Sequence, residues 1–210
     1  MSLEVAAACK GALQAGSTEI WVKDAHGSGR NIIADKLPHP VRLIRGWSGH
    51  PYSMVQEIDK TFAALVFVGY HSAATSGGNP LSHTFTGLFN RLELNGERLS
   101  EFRCNSLIAR SLGVPSVFLS GDAALCEEAQ GWEPHITTFA TQFGVGNSTV
   151  SIHPAQSLEQ IQAGVRVAIT NRKPPAEMPG PYRLDVRYRH HKDAYRFSFF
   201  PGAEAIADDT

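Results

Sequence analysis

The 210-residue chain carries 19 lysines and arginines against 20 aspartates and glutamates, a formal charge of -1, and 42% apolar residues. Near-neutral charge leaves no basic field for nucleic acid, and no apolar run approaches the roughly 18 residues of a membrane-spanning helix. The apolar fraction suits one α/β domain with a real core.

Residues 1–15 read as a helix, with Leu3, Ala6, Ala7 and Leu13 on an apolar face and Gly16 placed to end it. A helix this apolar packs on a sheet, yet no strand precedes it. Residues 18–22 read as a strand that delivers Lys23-Asp24-Ala25-His26-Gly27-Ser28-Gly29 at its end. Asp24 fits a turn cap and a site residue equally well. Residues 32–37 read as a short helix or turn, 41–44 as a strand, and 51–58 as a helix opened by Pro51.

Residues 63–70 form a continuous β-branched and aromatic run, Ala63-Ala64-Leu65-Val66-Phe67-Val68-Gly69-Tyr70. That is the pattern of a strand buried on both faces, in the middle of a parallel sheet. The run stops at His71, and a Ser-, Gly- and Asn-rich loop leads on to His83. In open α/β sheets functional groups gather outside the carboxyl ends of the strands. A site role is therefore expected for His71, and for His26 because it follows another strand in the same way.

Asn95-Gly96 between alternating segments predicts a type I′ hairpin beside the main sheet. Ser100 is the expected N-cap of a helix over 100–111 with Glu101 in its first turn. Residues 114–119 read as a buried strand, 122–129 as a helix begun by Asp122, and 136–139 as a strand. Residues 143–149 read as a flexible polar loop, and 154–169 as a helix started by Pro154. Pro174, Pro175, Pro179 and Pro181 mark a break. Residues 182–188 and 195–199 then read as a closing pair of strands.

The fold class expected is α/β: one domain over residues 1–210, three-layer α/β/α, with a mostly parallel central sheet and an added β-hairpin region. The hairpin is expected around 88–99 and the closing strand pair around 182–200.

Cys9, Cys104 and Cys126 are odd in number and widely spaced. They fit reduced, buried thiols of a cytoplasmic protein better than a disulfide frame or a cysteine zinc site. The first residues lack the pattern of a signal peptide. Gly-x-Ser-x-Gly, Gly-x-Gly-x-x-Gly and the Walker ending are absent, which argues against a serine hydrolase, a dinucleotide fold and a P-loop. Cys104 falls inside a predicted helix and reads as a core residue. His26, His71 and Glu101, near strand ends or a helix start, form a nitrogen–oxygen donor set suited to zinc or a similar divalent ion. His83 could serve as base, nucleophile or transition-state donor. From residue types alone, a metallohydrolase stands beside a metal-free binding domain and a metal-free enzyme.

The set Lys23-Asp24-Ala25-His26-Gly27, Gly69-Tyr70-His71, Ser82-His83-Thr84, Leu94-Asn95-Gly96 and Glu101 resembles, in this order, the D-aminopeptidases of the DppA type. The resemblance runs from about residue 3 to about residue 204. That family comprises binuclear zinc peptidases that release N-terminal D-amino acids from short peptides. The resemblance implies two zinc ions, with His26 and Glu101 on one, His71 on the other, and His83 as the catalytic histidine. It also implies a short peptide as substrate and a homo-oligomer, a ring-like decamer with its sites on an inner channel. The family opens with a strand carrying Asp-x-Glu, whereas this chain begins within the following helix and contains no Asp-x-Glu. The family's usual lysine and arginine near residues 141–147 are replaced by Gln142 and Asn147. The alternative implied by these departures is a catalytically silent or truncated relative that keeps the scaffold as an oligomeric binding protein.

Overall fold

The computed structural model describes residues 1–178 and 180–210. Helix α1 (Ser2–Gln14) is followed by β1 (Trp21–Lys23), β2 (Arg42–Ile44) and β3 (Leu65–Tyr70). Then come β4 (Phe89–Leu94), β5 (Glu97–Arg98), α2 (Glu101–Ser111), β6 (Ser116–Asp122) and α3 (Ala123–Trp132). The chain ends with β7 (Thr137–Val145), β8 (Ser148–Ser151), α4 (Pro154–Thr170), β9 (Leu184–Tyr188) and α5 (His191–Phe197).

The central sheet has the order β3-β6-β7-β8, parallel except for the antiparallel edge strand β8. Strands β1 and β2 form a separate parallel pair, and β5-β4-β9 an antiparallel ribbon. Along β3, side chains alternate between faces. Val66 and Val68 pack with Ala7, Ala8, Phe118, Ile161 and Val165, under α1 and α4. Phe67 packs with Phe102, Leu119, Leu125 and Ala129, under α2 and α3. This is the three-layer α/β/α arrangement. It explains why β3 and β6 read as continuous apolar runs: both faces are covered. Phe67 and Phe102 meet edge to face at 5.0 Å and are almost wholly buried, tying α2 to the sheet.

The hairpin turns at Asn95 and Gly96, with φ of 53° and 80°. Both positions are left-handed, the condition that makes Asn-Gly the preferred pair in a two-residue turn. The three cysteines are free; Cys9 and Cys126 are buried and Cys104 is half-buried.

Three local expectations are corrected. Residues 195–199 are not a strand; the helix His191–Phe197 occupies the segment. Strand β9 pairs with β4 instead of with a following strand. Ala194 is buried on the helix, and Phe197 stacks on Tyr188 with ring centroids 5.5 Å apart. Residues 51–58 form only the 3₁₀ turn Ser53–Val55. Ser53 and Glu57 have φ of 46° and 70°, and a segment interrupted this way cannot propagate helix past its costly first turn. Residues 143–149 are not a loose loop. Phe143, Gly144 and Val145 extend β7 and pair with Val150, Thr149 and Ser148 of β8. Among the described residues no helix is long and apolar enough to cross a membrane.

Candidate metal centre

Glu101 is the first residue of α2. Ser100 caps the helix: its Oγ accepts the Arg103 N–H at 3.2 Å and donates to Glu128 Oε1 at 2.6 Å. The cap places a buried carboxylate at the positive end of the helix dipole. Glu101 Oε1 also accepts the backbone N–H of Phe85 at 2.7 Å. Phe85 has φ of 60°, a conformation that costs a non-glycine residue roughly 1–2 kcal/mol. Here it aims the amide at Glu101.

His71 follows the last residue of β3. Its Nδ1 lies 3.1 Å from the Ser72 carbonyl oxygen. His83 arrives from the loop after β3, with Nδ1 2.8 Å from the Leu81 carbonyl oxygen. That loop is held at several points. Fully buried Thr84 accepts the Ala74 N–H at 3.1 Å and donates to the Leu99 carbonyl at 3.2 Å. Asn79 accepts the Leu81 N–H through its side chain at 2.9 Å and the Ser82 N–H through its carbonyl at 3.0 Å. The Gly144 N–H on β7 donates to the Gly78 carbonyl at 3.1 Å.

The result is a compact cluster. The two imidazole rings lie face to face with centroids 4.3 Å apart and planes tilted by 32°. His71 Nε2 is 4.0 Å from Glu101 Oε2, and His83 Nε2 is 3.7 Å from Glu101 Oε1. One ligand atom from each of the three residues lies within 4.8 Å of the other two. A carbonyl oxygen only accepts, so each Nδ1 must carry a hydrogen. With Nδ1 so engaged, each ring turns its Nε2 toward the carboxylate. Two imidazole nitrogens and a carboxylate at these distances make a nitrogen–oxygen cluster of the size a cation fills. The donor set therefore fits a divalent metal ion, with nitrogen and oxygen ligands of the kind zinc takes.

His26 is not brought into this cluster. It is exposed, on the loop after β1. The loop is built on Asp24, which is buried and accepts the N–H groups of Asn31 at 2.5 Å and Ile32 at 2.7 Å. Burial pushes the Asp24 carboxyl up, but the hydrogen bonds from Ile32, Asn31 and His26 outweigh it and hold the group below its ordinary value. Lys23 Nζ donates to the Gly46 carbonyl at 2.9 Å and lies 4.0 Å from the centre of the Trp47 ring. Trp47 Nε1 donates to the Gly27 carbonyl at 2.8 Å. The β1 and β2 loops are thereby joined. Asp24 is a buried fastening of the His26 loop, with no exposed carboxylate to offer.

Burial and the nearby charge of Glu101 push the Cys104 thiol up to about 11, so it offers no thiolate nucleophile near neutral pH. Burial, then the Glu101 charge, also raises the Tyr70 phenol beneath the site. Sequence reasoning missed Ser72, Thr84, Phe85 and Asp122 as supports of the site. Asp122 had a local signal as a helix start; Phe85 had none, because its contribution is a backbone N–H.

The fold and the His-His-Glu constellation define a three-layer α/β protein with a carboxyl-edge centre suited to a divalent metal. The family model for D-aminopeptidases, peptidase M55, matches residues 1–210, and the chain belongs to that family. It is 28% identical over 196 residues to a D-aminopeptidase of Bacillus subtilis (strain 168), across 92% of this chain and 71% of the relative. It is also similar to the solved structure of the Zn-dependent D-aminopeptidase DppA from Bacillus subtilis, described as a self-compartmentalizing protease. That match has a TM-score of 0.88 and 26% identity, over 96% of this chain and 74% of that one.

Proposed function

We propose that this chain is a zinc-dependent aminopeptidase-like hydrolase that releases N-terminal D-amino acids from short peptides. The observation that carries the reading is the convergence of two imidazole Nε2 atoms on the two oxygens of one buried carboxylate. Family membership supports the peptidase chemistry, and the zinc dependence of the B. subtilis structure supports the metal.

In this reading His26 and Glu101 hold one zinc ion, His71 holds the other, and His83 is the catalytic histidine. Zinc, when bound, polarises a carbonyl and lowers the pKa of a bound water. The protein's own part is orientation and proton transfer. The Leu81 carbonyl fixes the Nδ1–H of His83 and leaves Nε2 to take a proton or return it at the leaving amine. The side chain of His83 is 40% exposed, so a peptide can reach it. The Phe85 N–H holds one oxygen of Glu101 in place.

Assembly with copies of itself, as a decamer, belongs to the same proposal. It is supported by the self-compartmentalizing description of the similar structure. Tyr195, Phe199 and Phe200 are 70%, 72% and 72% exposed, aromatic surface of the kind that contacts between subunits cover. A cytoplasmic location fits three free thiols without a disulfide.

A second reading is favoured by the position of His26 outside the cluster. There His71, His83 and Glu101 together take one ion, and the scaffold binds without turnover. Elemental analysis of zinc beside D-alanyl peptide hydrolysis separates the two. Under the first reading His83→Ala keeps its zinc and loses turnover, while His71→Ala loses zinc. Zinc lost on His83→Ala, from a parent with one ion and no activity, selects the second.

A further inference from the structure

Asp122 closes β6, on the strand next to His71, and is fully buried. Its carboxylate is completely employed. Oδ2 accepts the backbone N–H of Ser72 at 2.7 Å, and Oδ1 accepts the Ser72 hydroxyl at 2.5 Å. Oδ1 also accepts the Leu125 N–H at 2.9 Å, capping α3. Ser72 is itself buried, so no water competes for these groups. Gly78 lies across the clamp from outside: a Cβ there would run into Ser72 Oγ and Ala124 Cβ. The loop backbone seals the bonds from solvent only because that residue is glycine.

Held at its amide and its side chain, Ser72 is anchored immediately after His71, and its carbonyl faces the imidazole. That carbonyl receives His71 Nδ1 at 3.1 Å. The geometry points to Asp122 as a positioning residue for His71: through Ser72 it fixes the imidazole as the Nδ1–H tautomer and turns the Nε2 lone pair to Glu101. The use of that lone pair for zinc rests on the function proposed above; the tautomer does not. An acid on one strand thus sets the proton position of a histidine at the end of the next. Partners of this kind, one bond removed from a ligand, commonly set ligand basicity and orientation.

The test compares the full-length parent with Asp122→Asn and Ser72→Ala. Asp122→Asn keeps the shape but turns an amide donor toward one of three groups that all donate. Ser72→Ala removes the hydroxyl bond alone and leaves the α3 cap intact. Two readouts are taken. The first is the tautomer of His71 in metal-free, 15N-histidine-labelled protein well above the ordinary imidazole value, with its signals assigned by their loss in His71→Ala. The second is the Kd for Zn²⁺ alone, by competition with a chromogenic chelator.

The expected result is a single Nδ1–H tautomer in the parent, a mixture in both variants, and zinc affinity reduced about 10–100-fold in Asp122→Asn. A role confined to capping α3 would lower stability and leave the tautomer untouched. The inference is overturned if the parent shows the Nε2–H tautomer, or if folded Asp122→Asn keeps one Nδ1–H tautomer. Should Asp122→Asn fail to fold, an unchanged tautomer in Ser72→Ala overturns it equally. A parent that binds no zinc refutes the metal reading, while the tautomer measurement still decides on the clamp.

Discussion

His83 Nε2 stands 3.7 Å from Glu101 Oε1, and that same oxygen accepts the Phe85 N–H at 2.7 Å. One carboxylate thus anchors a backbone turn and faces a histidine. The two duties can be separated. Glu101→Gln keeps an oxygen for Phe85 and removes the charge. It is expected to fold, with zinc affinity down by about 100-fold or more, because a neutral amide is a poor ligand for a cation. Zinc titration together with a circular dichroism spectrum checks this; parent-like affinity in folded protein would exclude Glu101 as a ligand.

The core thiols supply a second expectation. Burial raises Cys9 and Cys126 to about 11, as burial and Glu101 raise Cys104. Near neutral pH the folded protein should react slowly with a thiol-specific disulfide reagent and release three equivalents only on unfolding. Fast labelling of Cys104 in native protein would revive it as a nucleophile.

Glu128, the acceptor of the Ser100 cap, predicts a pH dependence. Burial raises its carboxyl above the ordinary value of 4.5, against the Ser100 hydrogen bond and the charges of Arg103 and Arg98. A raised carboxyl contributes stability below 4.5 that is lost as pH climbs through the raised value. Glu128→Gln keeps an acceptor for Ser100 and removes that loss. Its stability relative to the parent should rise with pH from about 4.5 and then level. Urea midpoints measured across that range check the sign; a constant difference would show that burial does not govern Glu128.

Phe102, wholly buried beside Glu101, joins α2 to the sheet through Phe67. Phe102→Ala should cost about 3–5 kcal/mol of unfolding free energy from lost transfer energy and the cavity left behind. Denaturant unfolding measures this. A loss under about 1 kcal/mol would mean the surroundings collapse into the space.

Parts of the candidate site were legible in the chain because they are local. The apolar run ending at His71 announced a buried strand with a histidine at its carboxyl end. Ser100 announced a cap with Glu101 just behind it. Residues 195–199 misled because their aromatic spacing suits a strand as well as a helix face, and the choice fell to which edge β9 could use.

By itself the sequence determined the elements whose signals lie within a few residues: the two-face burial of β3, the Asn95–Gly96 turn, the α2 cap and the donor types on offer. Tertiary structure alone decided which donors meet. His83 reaches His71 because Thr84 closes the loop onto Leu99. Ser72 reaches Asp122 because the parallel register sets Tyr70 opposite Gly121. His26, on a separate pair of strands, stays outside. Such meetings depend on register and loop closure between residues tens of positions apart, and no short-range pattern of side chains encodes them.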